Sequence, residues 1–286
     1  MNAVSIKSLG PDLATVAKRI INRGLGYLKL EVRRTRRAPP RSTLRGAMNQ
    51  ACQRGLKPAT VIDVGAADGT LELYEIFPHA RHVLIEPLIE FKPRLDELRG
   101  EFAQLEYTIA AASSKAGETV LHVHRDLYGS SLHLEHEDSN NGLERTVSAI
   151  RVDDLCAELP PPYLLKVDVQ GGELDVLAGS ERTLLSTDCV VLETTLIEFF
   201  DQGPLFRDVM ECMHGHGFAL YDLVDIQYRP LDDAVSQVDA VFVPQRSQLR
   251  RDRVYATSDQ RARLNRQFEE HLTTISRVGA NEKVEL

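Results

Sequence analysis

From residue 61 onward, apolar runs of strand length alternate with stretches of helical period. VIDV at 61–64 is a short run that predicts a buried strand, and 70–77 repeats apolar positions at helical spacing. A second strand is predicted at 82–85, a helix at 88–98 and an extended segment at 106–111. This βαβαβ order predicts a parallel sheet with right-handed crossovers.

The rhythm then changes. Residues 117–125, GETVLHVHR, alternate like a strand with one wet face, whereas 126–145 are polar enough to predict a loop. Extended segments return at 146–152 and, after the stiff PPP, at 163–169. The stretch QGGELDVLAGSERTLL predicts a helix burying Leu174, Val176, Leu177 and Leu184, with a weak turn near Gly179. CVVLETT at 189–195 predicts another core strand. A helix at 204–216, an antiparallel pair from FALYDLVDI and DAVFVP, and a charged terminal helix at 258–276 complete the reading. It divides the chain into a basic arm (1–45), a main α/β domain (46–250) and a C-terminal helical extension (251–286).

Composition supports a water-soluble body. Hydrophobic residues make up 43% and charged residues 27%, and no run approaches the ~18 apolar residues of a membrane span. Cys52, Cys156, Cys189 and Cys212 lack CxxC spacing, so they read as reduced thiols of a cytoplasmic protein. The net charge of −8 hides a split: residues 1–45 carry eleven Lys or Arg against Asp12 and Glu31, which leaves −17 for the rest. An acidic body argues against nucleic acid as the main partner. The arm, with Leu13, Val16, Ala17, Ile20 and Ile21 at helical spacing before RRTRRAPPR, reads as a helix packed on the body or on a second copy of the chain. A peripheral contact with the inner membrane surface or an anionic glycolipid is the other reading, and a targeting peptide a third.

The chemistry is expected beyond the carboxyl ends of the strands, where open parallel sheets bind ligands. After the first strand the chain reads D-V-G-A-A-D-G, with Gly65 and Gly69 bracketing Ala66 and Ala67, a turn that lets backbone approach a nucleoside closely. The third glycine of a dinucleotide fingerprint and the Lys-Ser/Thr of a P-loop are missing. Asp63 and Asp68 make the turn acidic, which disfavours a pyrophosphate and suits a cationic cofactor with an amino group and a sulfonium. Glu86, followed by Pro87, ends the second strand 21 residues after Gly65, the spacing at which an acid takes ribose hydroxyls.

With VIDVGAADGT, HVLIEP, TVSAIRVDDL, LLKVDVQGGELDVLAGSERTL and VVLETT, residues 58–245 resemble the class I S-adenosylmethionine-dependent methyltransferases, and more narrowly the FkbM type. The resemblance implies a Rossmann-like fold: a mostly parallel seven-stranded sheet with an antiparallel closing strand and helices on both faces. It implies an O-methyltransferase acting on a hydroxyl of a sugar, glycolipid or polyketide-type small molecule. It also implies that Asp63, Gly65, Ala67 and Gly69 line the methionine end of the cofactor and that Glu86 holds its ribose. Adenine is expected to meet Ala111, Ala112 or Ser113 through backbone groups. The family commonly has D-V-E-G-A-E where this chain has D-V-Q-G-G-E, so a carboxylate at position 170 is replaced by Gln170.

Methyl transfer to an alcohol needs collinear alignment and a group to take the proton. Asp168, after the fourth strand, is the first candidate for that base, and it also borders the cofactor. Glu193 ends the fifth strand, and Lys166 would screen Asp168 or contact substrate. Asp168 and Glu193, with Glu173, are alternatively hard oxygen ligands for a magnesium ion. His133 and His136, in the polar loop, are further candidate bases should that loop close over the site. His122 with His124, and His214 with His216, are paired but lack further zinc ligands at suitable spacing. Two rival readings are a cofactor-binding module without catalysis and a methyltransferase with a protein or nucleic-acid acceptor; the absence of an NPPY-type motif weighs against the latter.

Overall fold

A computed structural model describes residues 41–136 and 141–281. The expectations for the basic arm, and for part of the polar loop, lie outside the described residues. A compact unit starts at Ser42. Helix α1 (Leu44–Gln53) is the reason: Thr43 Oγ1 accepts the Gly46 amide as an N-cap, and Leu44, Ala47, Met48 and Ala51 are buried. The Leu44 amide also donates to Asp225 Oδ2 at 2.7 Å, tying the first turn to the far edge of the sheet.

Seven strands form the main sheet: β1 (Thr60–Val64), β2 (Arg81–Glu86), β3 (Leu105–Ile109), β7 (Tyr163–Val167), β8 (Thr187–Thr195), β9 (Phe218–Tyr228) and β10 (Val235–Pro244). Their order is β3-β2-β1-β7-β8-β10-β9. Strand β10 is antiparallel to both neighbours, and the other pairs are parallel. This is the Rossmann-like arrangement that the resemblance implies. All five residues of β1 and of β7 are buried, as expected for central strands covered on both faces.

One face packs on α1, α2 (Leu71–Ile76) and α3 (Lys92–Glu101), through Met48, Leu73, Tyr74, Leu95 and Leu98. The other packs on α4 (Val152–Leu155), α5 (Glu173–Ala178), α6 (Glu181–Leu184) and α7 (Phe206–Gly215), through Val152, Val176, Leu177, Leu184 and Met213. Each such fully buried aliphatic side chain contributes about 1.5–3 kcal/mol relative to exposure.

Two features differ from the sequence reading. The helix expected after the glycine pair is two short helices, α5 and α6, separated at Gly179 and Ser180. A Cβ at residue 179 would overlap the Ser113 carbonyl oxygen, so backbone packs directly on backbone there. The segment between β3 and β7 builds a second, three-stranded sheet ordered β4-β6-β5, from β4 (Ala111–Ala112), β5 (Gly117–Val123) and β6 (Leu143–Ile150). Strand β6 starts within the stretch expected to be loop. Beyond β10, α8 (Ser258–Asn281) forms the terminal helix. Among the described residues no helix is long and apolar enough to cross a membrane, and the four cysteines are free.

Candidate active site

Strands β1 and β7 are neighbours at the point where the sheet order reverses, and a cavity of about 270 Å³ opens beyond their carboxyl ends. Gly65 and Ala67 from the turn after β1, Glu86 and Pro87 from the end of β2, and Ala111 and Ala112 from β4 all line it. So do Asp168, beyond β7, and Glu193, near the end of β8. Eight of the sequence candidates therefore converge on one cavity.

The turn itself is backbone on backbone. Gly65 has φ 73°, and a Cβ there would overlap the Asp168 carbonyl oxygen. The Gly65 and Ala66 amides both reach the Ile85 carbonyl, at 2.9 and 3.2 Å, which fastens the turn to β2. The Glu86 carboxylate closes it: Oε2 accepts the Ala67 amide and Oε1 the Leu88 amide, each at 2.8 Å. A carboxylate offers about four acceptor positions, so two remain for ligand hydroxyls. Burial pushes its pKa up to about 7 against these two amides.

Asp63 has a different place from the one expected. It is fully buried behind the turn and does not line the cavity. Its Oδ2 accepts the Tyr74 hydroxyl at 2.5 Å and the Thr70 amide at 3.3 Å, so it anchors the start of α2 rather than a ligand. Ala66 and Gly69 are likewise absent from the cavity wall, Ala66 being packed into the core. Asp68 is absent too, but its negative charge, first among the causes, raises the pKa of the Tyr128 hydroxyl, and Tyr128 does line the cavity. The Tyr128 ring meets Phe91 edge-on at 5.3 Å between centroids.

The polar end of the cavity is a charge cluster. Asp63 pairs with Lys166 across β1 and β7, and Glu193 pairs with Asp239 across β8 and β10, which puts these side chains on one face of the sheet. Lys166 Nζ donates to Asp168 Oδ2 at 3.1 Å and lies 3.8 Å from Asp63 Oδ1. Burial alone would lower its pKa, but Asp168, Asp63 and Asp239 together raise it, so it stays charged. Lys166 is buried and lies off the cavity wall, which leaves it screening Asp168 rather than touching a substrate.

Glu193 has no cation bonded to it. Three carboxamides hold it: Gln170 at 2.7 Å and Gln237 at 2.9 Å on Oε2, and Gln227 at 3.1 Å on Oε1. Burial, then the charges of Asp168 and Asp239, push its pKa up to about 9. Glu173 is buried with Oε1 accepting the Gly171 amide at 3.0 Å, so it is bonded back to the glycine turn that precedes its own helix. The magnesium site expected of Asp168 and Glu193 finds no support in these contacts: N–H donors approach both carboxylates, and Glu173 is bonded to the Gly171 amide. Among the described residues no group of three or more His, Cys, Asp or Glu could hold a metal.

The loop histidines also fall away from the cavity. The His133 amide donates to Ser131 Oγ at 2.9 Å and the His136 amide to the Phe199 carbonyl at 2.9 Å, and neither imidazole is on the wall. The same loop instead contributes Leu127, Tyr128, Ser130 and Leu132, whose apolar members line the cavity, as do Leu88 and Leu121. Sequence alone carried no signal for Tyr128, lying as it does among polar residues. Gln170 was visible only as a departure from the family pattern, yet it lines the cavity with φ 54°. That left-handed conformation costs a non-glycine residue roughly 1–2 kcal/mol.

A family model described as the methyltransferase FkbM domain matches residues 63–220. The 2-O-methyltransferase NoeI of Sinorhizobium fredii is 27% identical over 175 residues, which cover 55% of this chain and 72% of that protein. Among solved structures, a methyltransferase FkbM from Methylobacillus flagellatus aligns with a TM-score of 0.41 and 13% identity, over 64% of this chain and 43% of that one. This chain thus spans less than half of that protein's length. Magnesium protoporphyrin IX methyltransferase from Synechocystis, solved with bound SAM, aligns with a TM-score of 0.38 and 10% identity, over 84% of this chain and all of that one.

Proposed function

Because this chain belongs to the FkbM methyltransferase family, we propose that it transfers a methyl group from S-adenosylmethionine to a hydroxyl of a saccharide, glycolipid or polyketide-type small molecule. The carrying observation is the placement of groups around the cavity. The strand order puts Glu86, at the end of β2, on one side of β1 and Asp168 and Glu193, beyond β7 and in β8, on the other, while Ala111, Leu88 and Leu121 add apolar lining. That arrangement fits a nucleoside with a cationic tail: a purine against the apolar lining, ribose hydroxyls donating to Glu86, and the amino and sulfonium charges beside the two carboxylates. Similarity to a 2-O-methyltransferase favours oxygen as the acceptor atom.

The cofactor supplies an electrophilic methyl group on sulfur. In the displacement an acceptor oxygen bonds to that methyl carbon, the carbon–sulfur bond breaks, and its electron pair stays on sulfur. The released hydroxyl proton goes to Asp168, which borders the cavity and is held in orientation by Lys166 at 3.1 Å and Gln170 at 3.0 Å. The apolar loop residues exclude water from the transfer path. The test is calorimetry with S-adenosylmethionine and S-adenosylhomocysteine, followed by a mass-shift screen of candidate sugars and natural products with labelled cofactor. Absence of binding heat with both ligands would end the cofactor reading, and binding without any labelled product would favour a module that binds without catalysis.

A further inference from the structure

Gln170 occupies the turn between β7 and α5 and is followed by Gly171 and Gly172. Its backbone is in the left-handed region, where glycine is the easier residue, and its carbonyl accepts Ser131 Oγ at 2.5 Å from the cavity loop. A long side chain is thus kept where the backbone alone would favour none. The side-chain nitrogen explains what it does there. One Nε2 reaches Asp168 Oδ1 at 3.0 Å and Glu193 Oε2 at 2.7 Å, so both amide hydrogens are consumed between two carboxylates.

Two carboxylates in one wall repel each other unless a donor lies between them. A second cation there would compete for the same oxygens and add positive charge beside a sulfonium, whereas an amide satisfies the oxygens and adds no charge of its own. Lys166, the nearby cation, is bonded to Asp168 from behind, off the cavity wall. The other titratable groups around the pair are Asp63, Glu86, Glu173 and Asp239, each on its own element.

We infer that Gln170 is a positioning residue: its carboxamide ties Asp168 and Glu193 into one unit that faces the charged end of the cofactor. The inference rests on the cofactor reading above and adds the group that organises the charged end. It concerns discrimination between the cofactor and its product, which differ by the methyl group and by the positive charge on sulfur.

The test is calorimetric titration of S-adenosylmethionine and S-adenosylhomocysteine into the unaltered protein and into Gln170→Leu, Gln170→Asn and Gln170→Glu, at one pH near 8. The readout is the ratio of the two affinities. Gln170→Leu lowers the preference for the cationic ligand by about threefold or more, because the untied carboxylates turn apart or share a proton. Gln170→Glu, nearly isosteric, raises it by a similar factor by adding charge. Gln170→Asn retains an amide and stays nearer to the unaltered ratio than the Leu variant. Binding of the neutral-sulfur product stays within about threefold throughout. An unchanged ratio in both the Leu and Glu variants overturns the inference, as does an equal loss for both ligands, which would make Gln170 only a wall. No heat with either ligand in the unaltered protein overturns the cofactor reading as well, so the two failures are distinguishable.

Discussion

The α-carbon of Gly65 lies directly against the carbonyl of Asp168, so that the turn after β1 and the end of β7 leave no room for a methyl group between them. Both walls of the cavity depend on this contact, one carrying Ala67 and the other Asp168 and Gln170. Gly65→Ala adds a clash to a residue with φ 73°, and destabilisation of about 2–4 kcal/mol is expected. Chemical denaturation measures it, and calorimetry on the remaining folded protein is expected to find S-adenosylhomocysteine binding weakened beyond tenfold. Near-native stability would mean that the two segments can move apart without cost.

Glu86 predicts a pH dependence for cofactor binding. Its pKa is pushed up to about 7 by burial, and ribose hydroxyls donate to the ionised form. Binding therefore strengthens as pH rises through about 7 and levels off above it. S-adenosylhomocysteine affinity measured from pH 6 to 8.5 checks this. Glu86→Gln is expected to weaken binding by about tenfold at pH 8 and to flatten the profile. A variant profile that retains the slope would assign the titration to another group.

Asp168→Asn separates binding from chemistry. The substituted amide keeps an oxygen for Gln170 but cannot take a proton at neutral pH. Product affinity is expected to stay within a few-fold while labelled methyl transfer falls by about a hundredfold or more. Undiminished transfer would remove Asp168 from the role of base.

The main sheet was legible because its central strands are buried and largely apolar, as in Val61, Ile62 and Val64 or Leu164, Leu165 and Val167. The side sheet was harder to read. Strand β5 alternates, but β6 begins at exposed Leu143 within a polar stretch, and its partners are set by tertiary pairing. In the site, glycine spacing and Glu86 located the cavity. The sequence could not say which way a strand-end carboxylate turns. Asp63 carries the same signature as Asp168, yet Tyr74 and Thr70 capture it on the core side. The two carboxamides of Gln227 and Gln237 come from the closing hairpin, and nothing local in the chain links them to Glu193.

His82 predicts an acid-sensitive contribution to stability. It is buried between Tyr74 and Phe102, with Nε2 on the Phe77 carbonyl at 3.1 Å and Nδ1 without a partner. Burial lowers its pKa to about 4. The unfolded chain takes up this proton near pH 6.5 and the folded chain only near 4, so stability is lost as pH falls between those values. Glu86 and Glu173, with pKa values pushed up to about 7, act in the opposite direction between about pH 4.5 and 7. Only a comparison isolates the histidine. Urea unfolding at pH 7 and pH 4.5 is expected to show His82→Phe losing about 2 kcal/mol less on acidification than the unaltered protein. Equal losses would place the acid sensitivity elsewhere.

Tyr128 predicts an optical signal for cavity occupancy. It lines the cavity while 58% exposed, with its ring edge-on to Phe91 and its hydroxyl within reach of the Asp68 charge. A ligand entering beneath it changes the surroundings of its ring. The chain contains no tryptophan, so Tyr128→Trp introduces a single reporter. Its emission is expected to shift to shorter wavelength as S-adenosylhomocysteine binds and water leaves the mouth. Tyr128→Ala, by contrast, is expected to weaken binding by about three- to tenfold, the value of one aromatic contact at a partly wet site. Stopped-flow traces of the tryptophan variant, compared with calorimetry, then report whether the aromatic closes with binding or after it. If calorimetry detects binding but the emission does not change, residue 128 lies outside the path the cofactor takes.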